Sequence, residues 1–172
     1  MGTRSLTVMK DDESREIAVM YRQFDGYPDG HGQELVDFLN KAQHNGMDCL
    51  AAQIVAHFKT EHGCGGIYLH PAGTRDCGEE WIYTVYRDEE PNGGIRLKVQ
   101  GGCVTFFGLP GTKQDNMPVL FDGDLKEFNA EAIEGRYNEK MNNKEIPNDY
   151  LNQTQAEDLA SKLADVEDLM PQ

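Results

Sequence analysis

The stretch from Phe24 to Gly32, Phe-Asp-Gly-Tyr-Pro-Asp-Gly-His-Gly, gathers the side chains of this chain best suited to chemistry. Histidine changes charge near neutral pH, so His31 can give or take a proton there. Asp25 and Asp29 accept hydrogen bonds, and Tyr27 offers a ring on which a flat group can stack. Gly26, Gly30, Gly32 and Pro28 permit backbone conformations that hold such side chains in a fixed geometry. A helix beginning at residues 30–33 would aim unpaired N–H groups and a partial positive charge into the loop, which suits an anion. Arg4 joins the set if the first strand is central, since it would then reach the loop near Asp25 and brace it. The candidate ligand-binding residues are therefore Arg4, Asp25, Tyr27, Asp29 and His31, with a nucleotide or other small anion as ligand and His31 as acid or base. The plainer alternative is that Asp29 caps the helix, Tyr27 packs on the sheet and the glycines only make the turn. The loop has no Gly-Lys-Ser/Thr, and its glycine spacing differs from a dinucleotide fingerprint.

Other groupings are weaker. His57, His62, Cys64, His70 and Cys77 carry zinc-binding atoms, but His57 and His62 are five apart and no zinc spacing is met, so no metal site is expected. Cys77 sits in a loop beside Arg75, yet Asp76, Glu79 and Glu80 would raise its pKa and oppose reactivity. Cys103 reads as core. The pairs Glu79-Glu80 and Asp122-Asp124 read as solvated acids, with Asp124 a natural helix cap. No cofactor is expected, and catalysis is the less favoured reading.

The elements that would position the loop follow from apolar periodicity. Residues 5–10 and 16–24 alternate and form a hairpin about the polar turn 11–14. Leu35, Phe38, Leu39 and Ala42 mark one helix face, which His44-Asn45-Gly46 ends. Met47, Leu50, Ala51, Ile54, Val55 and Phe58 form the most regular stripe in the chain, predicting a helix over 48–60. Strands are expected at 67–70, 81–87, 95–100 and 103–107, with a short edge strand at 117–121 and a helix over 125–137 facing inward through Leu125, Phe128, Ala132 and Ile133. The fold class is thus α+β: an antiparallel twisted sheet of about five or six strands with two consecutive helices on one face. Residues 1–141 form this single domain. Residues 142–172 read as a linker and an acidic amphipathic helix, 154–169, with Thr154 and Glu157 as a capping box. That helix could dock on the core, pair two copies of the chain or extend as a tail.

The chain has 172 residues, 38% of them hydrophobic, enough for a proper core. No stretch approaches the roughly 20 apolar residues that span a bilayer, and the N-terminus lacks a signal pattern, so the expected location is cytoplasmic. Four cysteines without a CxxC pair are then expected as thiols. The formal charge of −14 and the absence of a Lys/Arg cluster disfavour direct nucleic-acid binding, and no membrane partner is expected without a spanning stretch. They leave two readings, a solubilising surface or a face that docks on a basic protein.

The opening Met1-Gly2-Thr3-Arg4-Ser5-Leu6, with Asp25-Gly26-Tyr27-Pro28 and Gly30-His31-Gly32, resembles a family of small uncharacterised proteins of tailed phages and prokaryotes. Gly66-Ile67-Tyr68-Leu69 and Glu80-Trp81-Ile82-Tyr83 look like that family's central strands, so the resemblance covers about residues 1 to 110. It implies a phage or mobile-element setting and carries no established activity. In such a setting the expected function is an acidic binding protein, for instance an inhibitor of a host defence or nucleic-acid-binding protein. The alternative is the small-anion binder or hydrolase at the Asp25–His31 loop.

Overall fold

The computed structural model describes residues 2–60, 66–75, 77–90, 93–102 and 117–143. Strands β1 (Ser5–Lys10) and β2 (Glu16–Arg22) form the expected hairpin. Asp11 shapes its turn, accepting from the Glu13 and Arg15 backbone N–H groups at 2.9 and 2.8 Å. One wide helical turn, Pro28–Gly32, leads directly into α1 (Gln33–Leu39), and α2 (Met47–Phe58) follows. Then come β3 (Ile67–Pro71), β4 (Trp81–Arg87), β5 (Ile95–Gly101), β6 (Val119–Asp124) and α3 (Ala130–Asn142).

The six strands make one sheet in the order β3-β2-β1-β4-β5-β6. The sheet is mixed, which corrects the wholly antiparallel expectation: β1 and β4 pair in parallel, with Leu6 opposite Ile82 and Val8 opposite Thr84. The cause lies in residues 72–80. After pairing with β2, the chain crosses back past β2 and β1 before entering β4, so β4 starts at the same end as β1. Nine residues reach about 30 Å when extended, enough both to cross three strand spacings of about 4.8 Å and to return along the strand direction from the level of Pro71 to that of Trp81, so no helix is needed. Sequential strands pair more often than not, and this crossing is what a local reading overlooks.

All three helices contribute to one core on one face of the sheet. Leu35, Val36 and Leu39 of α1, Met47, Leu50, Ala51 and Ile54 of α2 and Ile133 of α3 pack with Met9, Met20, Trp81, Tyr83, Val85, Leu97 and Val99. The stripe read for α2 is this buried face, with Val55 and Phe58 at its margin. The start of α2 is held from the hairpin turn, where the Asp12 carboxylate accepts from Met47 N–H at 3.1 Å. Leu6, Val8, Val19 and Ile82, on the opposite face, are buried as well. Strand β1 is therefore covered on both sides, and Thr7 and Met9, which alternation would place outward, are enclosed.

Two helix boundaries differ from expectation. Helix α1 stops at Leu39, short of Ala42. The segment 125–137 divides, because Phe128 is extended between a short turn at Leu125–Glu127 and α3, whose cap is Asn129 accepting from Ala132 N–H at 2.9 Å. Asp124 caps the short turn, and Ala132 is exposed. The strand expected at 103–107 and the acidic helix at 154–169, with the self-association assigned to it, lie outside the described residues. No helix among the described residues is long and apolar enough to cross a membrane.

Candidate functional site

The loop 24–32 is fastened by backbone contacts on both flanks. Asp25 adopts φ 55°, and its carbonyl accepts from His31 N–H at 2.8 Å. A Cβ on Gly30 would stand 2.5 Å from that same carbonyl oxygen, so only glycine fits there. Gly26 N–H donates to the Thr3 carbonyl at 3.0 Å, and the Gly26 carbonyl accepts from the Tyr83 hydroxyl at 2.8 Å. Burial, with Glu134 nearby, holds the Tyr83 hydroxyl protonated well above its usual range.

The loop sends His31 inward. Its ring is fully buried, edge-on to Phe58 and Tyr83 at centroid distances of 4.7 and 5.2 Å. Arg22 Nη1 lies 3.1 Å from Nδ1. Arginine can only donate, so Nδ1 carries the lone pair and the proton sits on Nε2, which donates to Thr7 Oγ1 at 2.7 Å. Burial, then the Arg22 charge, pushes the His31 pKa down to about 3. The imidazole is neutral across the physiological range. The Arg22 guanidinium is itself committed, through Nη1 to Glu34 and through Nε to the Phe24 carbonyl at 2.7 Å, and it lies over the Phe58 ring. A cavity of about 440 Å³ opens beyond it, lined by Arg22, Phe24, Glu34, His57, Phe58 and Ile67 among others. His57 is stacked on Phe38 at 4.4 Å.

The loop sends Tyr27 and Asp29 outward. With Trp81, Glu134, Tyr137 and Asn138 they line a second cleft of about 240 Å³, between the wide turn and α3. The Trp81 and Tyr137 rings meet at 4.9 Å with a 40° tilt. Glu134 Oε1 accepts from Asp29 N–H at 3.2 Å. The other N–H groups of the turn are taken too, Gly30 by the Tyr27 carbonyl and His31 by Asp25. The donors that an anion would need at this helix start are thus already engaged, one of them by a carboxylate.

The five residues singled out from sequence are not brought into one pocket. Tyr27 and Asp29 share the α3 cleft, His31 is sealed behind Arg22, and Asp25 is exposed. The Arg4 side chain lies across the sheet end, where its Nη1 would be 2.7 Å from a Cβ on Gly78, while its backbone carbonyl accepts from Glu80 N–H at 2.9 Å. Glu79, read as solvated, is fully buried and accepts from Cys77 N–H at 3.0 Å. Among the described residues no group of three or more His, Cys, Asp or Glu side chains is arranged to hold a metal ion. His62, Cys64 and Cys103 lie outside those residues.

Sequence reasoning missed Arg22, Trp81, Glu134 and Tyr137. Only Arg22 left a local signal, as a charge at the end of a strand whose neighbours are apolar. Glu134 stands 105 positions from its partner Asp29, beyond any spacing rule. Protein-family models, curated proteins and solved structures compared with this chain give no match.

Proposed function

We propose that this protein acts by binding a protein partner with a basic surface, in a phage or mobile-element setting, as an inhibitor of a host defence or nucleic-acid-binding protein. The observation that carries this reading is the state of the loop: its histidine is neutral and enclosed, and what it presents outward is tyrosine and carboxylate. A group with a pKa near 3 and no exposure has neither the accessibility nor the proton affinity for acid–base work at neutral pH. The chain's formal charge of −14 supplies long-range attraction to a cationic surface, which speeds encounter and selects partners by sign. The phage setting rests on the resemblance of the opening and loop motifs.

The test uses the full chain immobilised and exposed to host lysate, with stepwise salt elution. The expected capture is a basic protein released as the screening length falls from about 10 Å at 0.1 M salt to about 3 Å at 1 M. A variant reversing the exposed Asp25, Asp37, Glu131 and Glu139 to lysine should lose that capture while keeping its circular dichroism. Equal capture by the reversed variant would overturn the reading, as would recovery of a nucleotide in its place.

A further inference from the structure

The cleft between the wide turn and α3 has an unusual lining for a surface depression. Three of its residues are aromatic, two are carboxylates, and no lysine or arginine lines it among the described residues. Trp81 is only 5% exposed and forms the inner wall, whereas Tyr27, at 38%, stands at the rim. Aromatic faces carry negative potential and attract a cation that comes within about 6 Å of the ring centroid. Glu134 has one oxygen engaged by Asp29 N–H and a second that this bond leaves available. An anion is disfavoured at the same place by the Asp29 and Glu134 charges, and a purely apolar group would strand both carboxylates beside it.

We infer that this cleft receives an arginine side chain of the basic partner, its guanidinium lying between the Tyr27 and Tyr137 rings and donating to the Glu134 and Asp29 carboxylates. The inference rests on the proposed function and names the contact that would give it specificity. Arginine fits better than lysine for two physical reasons. Its planar head stacks on a ring while its edge donates in a fork to carboxylates, and it is more weakly hydrated, so entering a partly enclosed cleft costs less. Lysine offers a compact, strongly hydrated charge that satisfies either the ring or the carboxylate with less geometric match.

Trp81 is the only tryptophan in the chain, so its fluorescence reports on this cleft directly. The experiment titrates the full chain with two capped peptides of equal length and charge, one rich in arginine and one in lysine, following Trp81 emission and, separately, calorimetric binding. The expected result is a saturable Trp81 change with the arginine peptide and binding about tenfold weaker with the lysine peptide. Tyr27→Ala and Glu134→Gln should each weaken arginine binding by about tenfold. Glutamine at 134 retains an oxygen to accept Asp29 N–H, so the second variant removes charge without removing the bond. Tyr137→Ala is a poorer probe because its ring packs on Trp81. Calorimetric binding with no Trp81 response, or equal affinity for the two peptides, would overturn the cleft assignment and leave the acidic-surface reading standing. No binding to either peptide at low salt would overturn both.

Discussion

One turn of helix, Pro28–Gly32, serves two regions of opposite character. On its inner side the buried His31 belongs to a hydrogen-bonded chain running from Thr7 through the imidazole and Arg22 to the Glu34 carboxylate at the surface. On its outer side Tyr27 and Asp29 face Glu134 and Tyr137 across an open cleft. The residue types on the two sides are equally suited to chemistry on paper. Enclosure separates them: burial neutralises His31 and makes every one of its bonds structural, while Tyr27 and Asp29 on the outer side are exposed to solvent. A histidine in a glycine-rich loop is thus a poor guide to catalysis until its exposure is known.

His31→Ala should have the largest effect on the molecule. The change opens a cavity beside Phe58 and Tyr83 and leaves Thr7 and Arg22 without their shared partner. A loss of about 3 to 5 kcal/mol is expected, read as a fall of roughly 10 °C in Tm. An unchanged Tm would mean that the inner side is not structural after all.

Acid should act on the inner side next. The folded-state pKa of His31 is depressed to about 3 from the usual 6.5, so between those values the unfolded chain binds the extra proton. Stability is fully present above pH 6.5 and falls as pH drops below it, by about 2 kcal/mol between pH 7 and pH 5. Denaturant midpoints at the two pH values measure this, and His31→Gln should flatten the dependence in that window. Asp11, held below the usual carboxylate range first by the Arg15 backbone N–H, and Glu16, which burial pushes up but Arg75 and the Gly73 N–H together hold down, lose their contribution only at lower pH.

Thr7→Val is a gentler cut, since it keeps the shape and removes only the acceptor of the Nε2 proton. About 1 to 2 kcal/mol should be lost, seen as a lower urea midpoint at unchanged slope. Smallest of all is Tyr27→Ala on the outer side. Its expected effect on stability is within about 0.5 kcal/mol, although the same change should weaken cationic-peptide binding. A large stability loss here would show that the cleft is part of the core and would end its contrast with the inner side.

Much of the architecture was legible from local pattern. Met47, Leu50, Ala51 and Ile54 announced the buried face of α2 through a period of 3.6 residues, and the strands at Trp81–Arg87 and Ile95–Gly101 fell where alternation and apolar content placed them. The role of Thr7 is not legible from alternation. A polar residue in an alternating strand reads as solvent-facing, yet β1 is central and covered on both faces, so Thr7 is buried and bonded to His31. Arg4 was expected to reach the loop if the first strand is central; β1 is central and the Arg4 backbone abuts Gly26, while its guanidinium lies at Gly78.

Composition and short-range spacing by themselves determined the α+β class, the overall negative charge and the loop on which His31, Tyr27 and Asp29 ride, because these depend on residue type and on periods of two to four positions. Tertiary structure alone decided the parallel pairing of β1 with β4, the capture of His31 by Thr7 and Arg22, and the meeting of Asp29 with Glu134. Each of these brings together distant residues through a chain crossing or a strand register. The hydrophobic effect that drives such packing is non-directional, so it leaves no spacing rule in the sequence from which the partners could be read.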